Sequence, residues 1–381
     1  MSGYALDGLR VLDLTQYVAG PYCAQVLADL GATVLKVERP GSGDVYRHQG
    51  PVFKEGQSAS FLTLNRGKRS IELDLGSKTG RERLHALLAE ADVLVENMRP
   101  GALQKHALDY ASLAERYPRL VYCSISAFGQ EGPLAGAGGY DTTIQALSGL
   151  MAMTGHPGQP PAKIPVAALD FGSALYGVIG IQAALAQRLR TGRGQWVQTS
   201  LLECALAWLS MHIVTFLLGG EEPGPAGSRS PFFAPYEAYR TADGYLVVVG
   251  TGGQDAWGRL CRTLGVERLV DDPRFTTNAD RVRNAEELKV ELETVLVTKP
   301  TAAWVEALEV AAVVSAPVQR LHQVLESEQL RALDMLTTLT HPVAGHVPSV
   351  RLPVTLSDAA TTSEAPPPRL GADSDRGFSR L

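Results

Sequence analysis

Between Val11 and Val37 a strand, a helix and a second strand follow one another, and that order restricts the fold more than any other feature. Val11–Leu14 is a short apolar run suited to a buried strand. Ala19-Gly20-Pro21 interrupts it, with proline placed to start a helix. Cys23–Leu30 has helical spacing and stops at Gly31, and Ala32–Val37 is a second buried strand. Two parallel strands joined through a helix within about 30 residues require a right-handed crossover. Both faces of such a sheet must then be covered by helices.

The alternation continues. Arg69–Leu73, Val93–Glu96 and Leu120–Ile125 read as strands, and Gly80–Ala91 as an amphipathic helix with Leu84, Leu87 and Leu88 on one face. A helix over Phe171–Leu189 leads through a Gly-rich turn to the strand Trp196–Ser200. The pattern predicts an α/β fold, with a Rossmann-like parallel sheet whose ligands sit at the carboxyl ends of the strands. Residues 219–235 shift to Gly, Pro and Ser and read as a linker. Beyond it, Tyr236–Arg240 and Tyr245–Val249 flank Ala242-Asp243-Gly244, a hairpin signal. Helices over Ala256–Leu264 and Glu286–Val297 and a returning strand over Val313–Val318 complete a smaller α+β domain. The expected organisation is a large domain over 1–218, completed by about 326–381, and a small domain over 236–325. The polar, Pro-rich C-terminal tail is expected to wrap back on a neighbour.

Composition excludes several classes. The net charge is −5, so no basic domain marks a nucleic-acid partner. Cys23, Cys123, Cys204 and Cys261 show no CxxC or zinc-finger spacing, which predicts no metal centre and a reduced, cytoplasmic setting. The N-terminus has no basic segment ahead of an apolar one, so no secretory signal is expected. Leu201–Leu218 approaches the length of a membrane span, but it holds Glu203 and His212 and closes on Gly219-Gly220. It is expected to be a buried helix, with no membrane partner.

Familiar phosphate-loop and nucleophile-elbow motifs are missing, and the eight histidines are scattered. Asp170 stands directly ahead of a predicted helix, in Ala167-Ala168-Leu169-Asp170-Phe171-Gly172. It either caps that helix, as an anion stabilised by the helix N-terminus, or serves as a nucleophile facing open space. Glu38 and Arg39 end the second strand, where an acid reads a ribose hydroxyl and an arginine meets a phosphate, or where both are simply solvated. Asn97 follows the strand Val93–Glu96, where it either binds a ligand amide or forms a turn.

Together these segments resemble the family III CoA-transferases, the group of formyl-CoA transferase and carnitine CoA-transferase, with the α-methylacyl-CoA racemases as relatives. The similarity runs through Leu6–Pro21, Leu30–Asp44, Asn65–Leu75, Ala91–Leu103, Gly139-Tyr140-Asp141, Ala167–Gly172, Thr191–Glu203 and Pro235–Gly244. The resemblance implies an interlocked homodimer, with acyl-CoA and a carboxylic acid as substrates, a dicarboxylate being one candidate. It assigns Asp170 as the nucleophile, passing through an aspartyl anhydride and an aspartyl-CoA thioester. It places Tyr17, Val18, Arg39, Leu73, Asn97 and Lys105 along the CoA groove. Val18 stands where the formyl-CoA enzyme has glutamine, which weakens a formate or oxalate reading. Tyr140 replaces the racemase histidine, and the racemase glutamate falls near Gly253. An ordinary tyrosine is a weak base at neutral pH, so CoA transfer is favoured over the alternative, a racemase or epimerase. A non-catalytic CoA-binding protein is a third, disfavoured reading. Gly227–Phe233 takes the place of the family's tetraglycine loop. There Phe232 and Phe233 either wall the acyl group or pack under the hairpin, and Arg229 either binds a second carboxylate or lies on the surface.

Overall fold

Burial on both faces turns the apolar runs into strands, because side chains alternate across a sheet that has no wet side. The structure, a computed structural model, describes residues 3–250 and 253–378; Gly252, beside the predicted racemase position, lies outside them. Two compact units are present. The first contains Met1–Met151, Lys163–Glu221 and Arg331–Leu381. The second contains Ala152–Ala162 and Glu222–Leu330. The assignment of the short segment Ala152–Ala162 to the second unit has no counterpart in the sequence reading.

The first unit is built on β1 (Arg10–Asp13), β2 (Thr33–Glu38), β3 (Lys68–Glu72), β4 (Val93–Glu96), β5 (Val121–Ser126) and β6 (Trp196–Ser200). They form one parallel sheet in the order β3-β2-β1-β4-β5-β6. Strand order reverses between β1 and β4, which opens a crevice at their carboxyl ends. Helix α1 (Ala19–Asp29) starts from β1 through a tight turn in which any side chain at Gly20 would strike Thr15. Helices α2 (Lys78–Leu88), α3 (Asp141–Leu147) and α4 (Ala168–Thr191) complete the layers described here. Helix α4 is long and apolar enough to cross a membrane. Here it packs against α1, β5 and β6, and Leu169, Ala174, Ile181 and Ala184 enter the core.

The stretch Leu201–Leu218 departs from expectation. It forms two helices, α5 (Leu201–Trp208) and α6 (Ser210–Gly219), bent by 60°. Leu201, Cys204 and Ala205 of α5 are buried, but no residue of α6 is. Met211, Val214, Leu217 and Leu218 are exposed, the last at 85%. The physical reason is geometric. An apolar surface all round a helix exceeds what one sheet can cover, so the bend takes α6 off the core.

The C-terminal tail belongs to the first unit and seats on its own sheet. Asp373 N donates to Ser70 O at 2.9 Å, Ser70 N donates to the Asp373 carboxylate at 3.1 Å, and Glu72 N donates to Ser374 Oγ at 3.1 Å. Phe378 joins the core beside Leu84 and Leu87. The tail thereby satisfies edge groups of β3 that would otherwise be open to pairing. Ahead of it a hairpin, Leu336–His341 with Gly345–Val350, stands where the sequence showed only polarity.

The second unit has its own core around Trp257, Phe275 and Trp304. Its sheet places Tyr245–Val249 between Tyr236–Arg240 and Val314–Pro317, all antiparallel. Thr241 N donates to Gly244 O at 3.0 Å, closing the hairpin at Ala242-Asp243-Gly244.

Candidate active site

The crevice between β1 and β4 is held by one side chain. Asn97, just past β4, accepts from Gln16 N at 3.0 Å and donates to Gln16 O at 2.7 Å. It therefore splices the loop after β4 to the loop after β1. The sequence left Asn97 either against ligand or in a turn; its amide fixes the two loops that carry the site, and it also lines the cavity beside Asp170. The β4 loop is braced a second time, because Glu96 Oε2 accepts from Met98 N at 2.8 Å. Burial pushes the Glu96 carboxyl up to about 7.

Beneath these loops lies a fully buried ion cluster. Lys68 Nζ donates to Asp13, Pro21 O and Asn65 Oδ1, each at 2.8 Å. Lys36 Nζ bridges Asp44 at 2.9 Å and Thr15 O at 2.8 Å. Asp44 in turn accepts from Tyr17 N at 3.3 Å and Tyr46 N at 3.0 Å. Tyr17 adopts a left-handed backbone (φ 68°), a conformation unfavourable for a bulky residue. The cluster is what holds it there, and it turns the Tyr17 ring toward Tyr46 and Tyr140 in edge-to-face contacts at 5.5 and 5.8 Å.

Glu38 corrects a sequence expectation. It is buried and bound by Arg47 at 2.6 Å, Ser70 Oγ at 2.6 Å and Asp44 N at 2.9 Å. It is not free to read a ribose. Arg39, its neighbour, is exposed and lines a groove of about 700 Å³ together with Leu73, Lys105 and Met98. Lys105 is also exposed, so both cations are available to phosphates.

Met98 also lines a second cavity, of about 210 Å³, whose walls come wholly from the first unit. Tyr17, Val18, Tyr46, Arg99, Tyr140 and Asp170 contribute to it. Arg229, Phe232 and Phe233 belong to the second unit. Arg229 is committed to Glu286 at 2.7 Å and Glu237 at 3.3 Å, so of the two alternatives the sequence left, a cation spare for a second carboxylate is not the one seen. Phe232 O accepts from Asn278 Nδ2 at 3.0 Å, and Phe233 is exposed.

Asp170 does not cap its helix. Helix α4 starts at Ala168 with Ala167 as its cap, and Asp170 falls in the first turn. The capping acceptor is Asp141, reached from α3. Its Oδ2 accepts from Leu169 N at 2.8 Å and Asp170 N at 3.4 Å, and its Oδ1 accepts from Gln145 Nε2 at 2.5 Å. The helix-end donors expected to stabilise Asp170 are therefore used by a second carboxylate. Half-buried, and without a hydrogen bond to its carboxylate among the described residues, Asp170 is pushed up to about 7. Burial is the main cause and the Asp141 charge the second. The expected anion stabilisation at the helix end is thus reversed. Gly172, two residues on, lets α4 approach α5, because a Cβ there would strike Trp208 and Cys204.

Asp141 and Tyr46 escaped the sequence reading as site residues. Asp141 was legible only as part of the Gly139-Tyr140-Asp141 segment, and Tyr46 carried no signal. The role of Asp141 has a direct consequence. Asp141→Asn keeps an oxygen for the Leu169 N–H but removes the like charge. The ionisation controlling turnover should move to lower pH, read as the acid limb of the kcat profile. An unmoved limb would mean that desolvation alone sets Asp170.

Among the described residues no group of three or more His, Cys, Asp or Glu gathers to hold a metal. All four cysteines are buried and unbridged.

Comparison with known proteins places the chain in a family. Residues 6–374 fit the family described as CoA-transferase family III. The succinate–glutarate CoA-transferase of Agrobacterium fabrum is 38% identical, over 96% of this chain and 93% of its own. The succinyl-CoA:glutarate CoA-transferase of Mus musculus is 37% identical, over 96% and 84%. A crystal structure of a CAIB/BAIF family protein from Brucella suis superposes with a TM-score of 0.86 at 38% identity, covering 98% of each chain. With the match extending over both units, the chain belongs to CoA-transferase family III and is an acyl-CoA:carboxylate CoA-transferase.

Proposed function

We propose that this enzyme moves CoA from an acyl-CoA donor to a dicarboxylic acid, with Asp170 as the covalent carrier. One observation carries the reading. A carboxyl raised to about 7, its oxygens without a hydrogen bond among the described residues, lines a small cavity that shares Met98 with a groove flanked by two exposed cations. A carboxylate stripped of solvation and of donors is a stronger nucleophile than one in water. The relatives named for succinate and glutarate support a dicarboxylate.

In the proposed sequence an Asp170 oxygen attacks the thioester carbonyl and CoA leaves as thiolate, giving a mixed anhydride. The thiolate then attacks the aspartyl carbonyl. The donor acid departs as carboxylate and an aspartyl-CoA thioester remains. The acceptor carboxylate attacks that thioester, forming a second anhydride and freeing the thiolate again. Attack of the thiolate on the acceptor carbonyl yields the new acyl-CoA and restores Asp170. Each step exchanges one activated acyl group for another, so water is the competitor to exclude. The ring of Tyr17, Tyr46 and Tyr140 narrows the cavity for this purpose, and Tyr140 stands where its hydroxyl can donate to an intermediate. Arg39 and Lys105 take the CoA phosphates, and Leu73 and Val18 supply apolar contact.

The test is mass spectrometry of the protein incubated with succinyl-CoA and then hydroxylamine. A hydroxamate on Asp170 is the expected product. Full exchange of CoA between acids with no adduct at Asp170 would overturn the carrier role.

A homodimer is part of the proposal. Exposed Leu206, Trp208, Met211, Val214, Leu217 and Leu218 on α5 and α6 leave an apolar surface that a monomer would not keep open to water. Light scattering should give twice the 40.7 kDa chain mass. A monomer at micromolar concentration would contradict it. A reduced, cytoplasmic setting is proposed on the four free thiols.

A further inference from the structure

Among the described residues, Arg99 is the one cation lining the Asp170 cavity. Its guanidinium has no ion pair or hydrogen bond among the described residues, although Arg99 O accepts from Ala102 N at 2.9 Å. Glu96 and Asp109 line the cavity on its other side, and neither pairs with it. Glu96 is a poor counter-ion, because burial keeps its carboxyl raised toward neutrality.

The surroundings are acidic. Asp170 lines the cavity with the buried Asp141 charge directly behind it, and a substrate with two carboxylates brings further negative charge. Cations at the groove mouth are assigned to phosphates. An unpaired guanidinium on the cavity wall is what remains to neutralise a second carboxylate, and its planar fork suits one. The loop carrying it is rigid, being braced at Glu96–Met98 and at Asn97–Gln16. Space for the guanidinium is provided by Gly138, where an added Cβ would lie 2.7 Å from Nη2 and 3.1 Å from Cζ.

We infer that Arg99 is the specificity-determining residue that binds the distal carboxylate of a dicarboxylic acid while its proximal carboxylate meets Asp170. The inference rests on the transfer reading above for its meaning, but its binding test does not require transfer.

The first measurement is glutarate and pentanoate affinity for the CoA-loaded Asp170→Asn protein, which cannot pass through the carrier step. Adding Arg99→Met should weaken glutarate by about 10- to 100-fold, the range for a lost hydrogen bond to charge, and leave pentanoate unchanged. Arg99→Lys should retain part of the preference. Gly138→Ala is the second variant. It displaces only the far end of a flexible side chain, so folding should persist while glutarate binding falls. The second measurement is kcat/KM for the two acceptors with otherwise native protein, where the same selective loss is expected.

Equal loss of both acids, or a raised KM for acyl-CoA in Arg99→Met, would assign Arg99 to CoA or to loop support and overturn the inference. Unchanged glutarate affinity would overturn it as well. Failure of the transfer reading has a separate signature, the absence of an Asp170 hydroxamate in the native enzyme. Selective glutarate binding through Arg99 would survive that result.

Discussion

Replacing Asp170 with asparagine should abolish CoA transfer and, at pH 8, make the protein more resistant to heat. The two effects have one source. An ordinary aspartate ionises near 3.8, whereas Asp170 in the folded chain ionises at about 7. Between those values the folded state holds a proton that the unfolded state has released. Stability therefore falls as pH rises from about 4 to 7, and above 7 the whole penalty is present. At ~1.36 kcal/mol per pH unit the ceiling is roughly 4 kcal/mol. Asp170 is only half-buried, so solvent screening reduces this and about 1–3 kcal/mol is the expected gain in the asparagine protein. Scanning calorimetry of both proteins at pH 5 and pH 8 checks it. The gain should be large at pH 8 and small at pH 5. Equal unfolding temperatures at pH 8 would mean that Asp170 ionises as an ordinary carboxyl. The native enzyme is correspondingly expected to gain activity as pH rises through about 7, because the nucleophile is the anion.

Asp13→Ala should give the largest loss of stability. Asp13, Lys36 and Lys68 are completely buried, and Asp13 holds Lys68 at 2.8 Å with Lys36 at 3.8 Å. Taking away the carboxylate leaves the Lys68 ammonium without its counter-ion where no water reaches it, while Lys36 keeps Asp44 at 2.9 Å. Breaking such a pair costs about 3–5 kcal/mol. The loss should depend on pH in a defined direction. Burial already lowers Lys68 to about 8, despite the opposing pull of Asp13. Without Asp13 it falls further. The unfolded chain keeps the Lys68 proton up to its ordinary value of 10.5, so it binds more protons than the folded chain above the lowered value. Stability of the alanine protein should then recover as pH rises from 6 to 9, measured by urea unfolding. A constant deficit across that range would assign the damage to lost packing instead of stranded charge. Activity should fall too, because Lys36 and Asp44 hold Tyr17 in its left-handed conformation at the cavity rim.

That buried cluster marks where sequence reading stops. Asp13, Lys36 and Lys68 sit on three different strands and look, one at a time, like polar interruptions of apolar runs. Only the parallel registers that set Asp13 beside Lys36, and Lys36 beside Ser70, gather them into one unit. Glu38 was misread for the same reason. Its place at the end of β2 is visible in the sequence, but Arg47 and Ser70 reach it from a loop and from another strand. Leu201–Leu218 was read as one helix because composition carries no signal for a bend at Leu209.

Local pattern alone determined the parallel α/β sheet, the hairpin at Ala242-Asp243-Gly244 and the special standing of Asp170. Those features depend on neighbours in the chain: an apolar run of strand length, a turn residue, an acid at a helix start. The chemistry of Asp170 was decided elsewhere. Helix α3 brings Asp141 to the first turn of α4, where it takes the backbone donors and leaves Asp170 unsolvated beside a like charge. A pKa is set by every charge and dipole within a few ångströms, and 29 residues separate these two carboxylates along the chain. Folding removes that separation, and the resulting contact makes the acid a candidate nucleophile where the sequence alone left room for a cap.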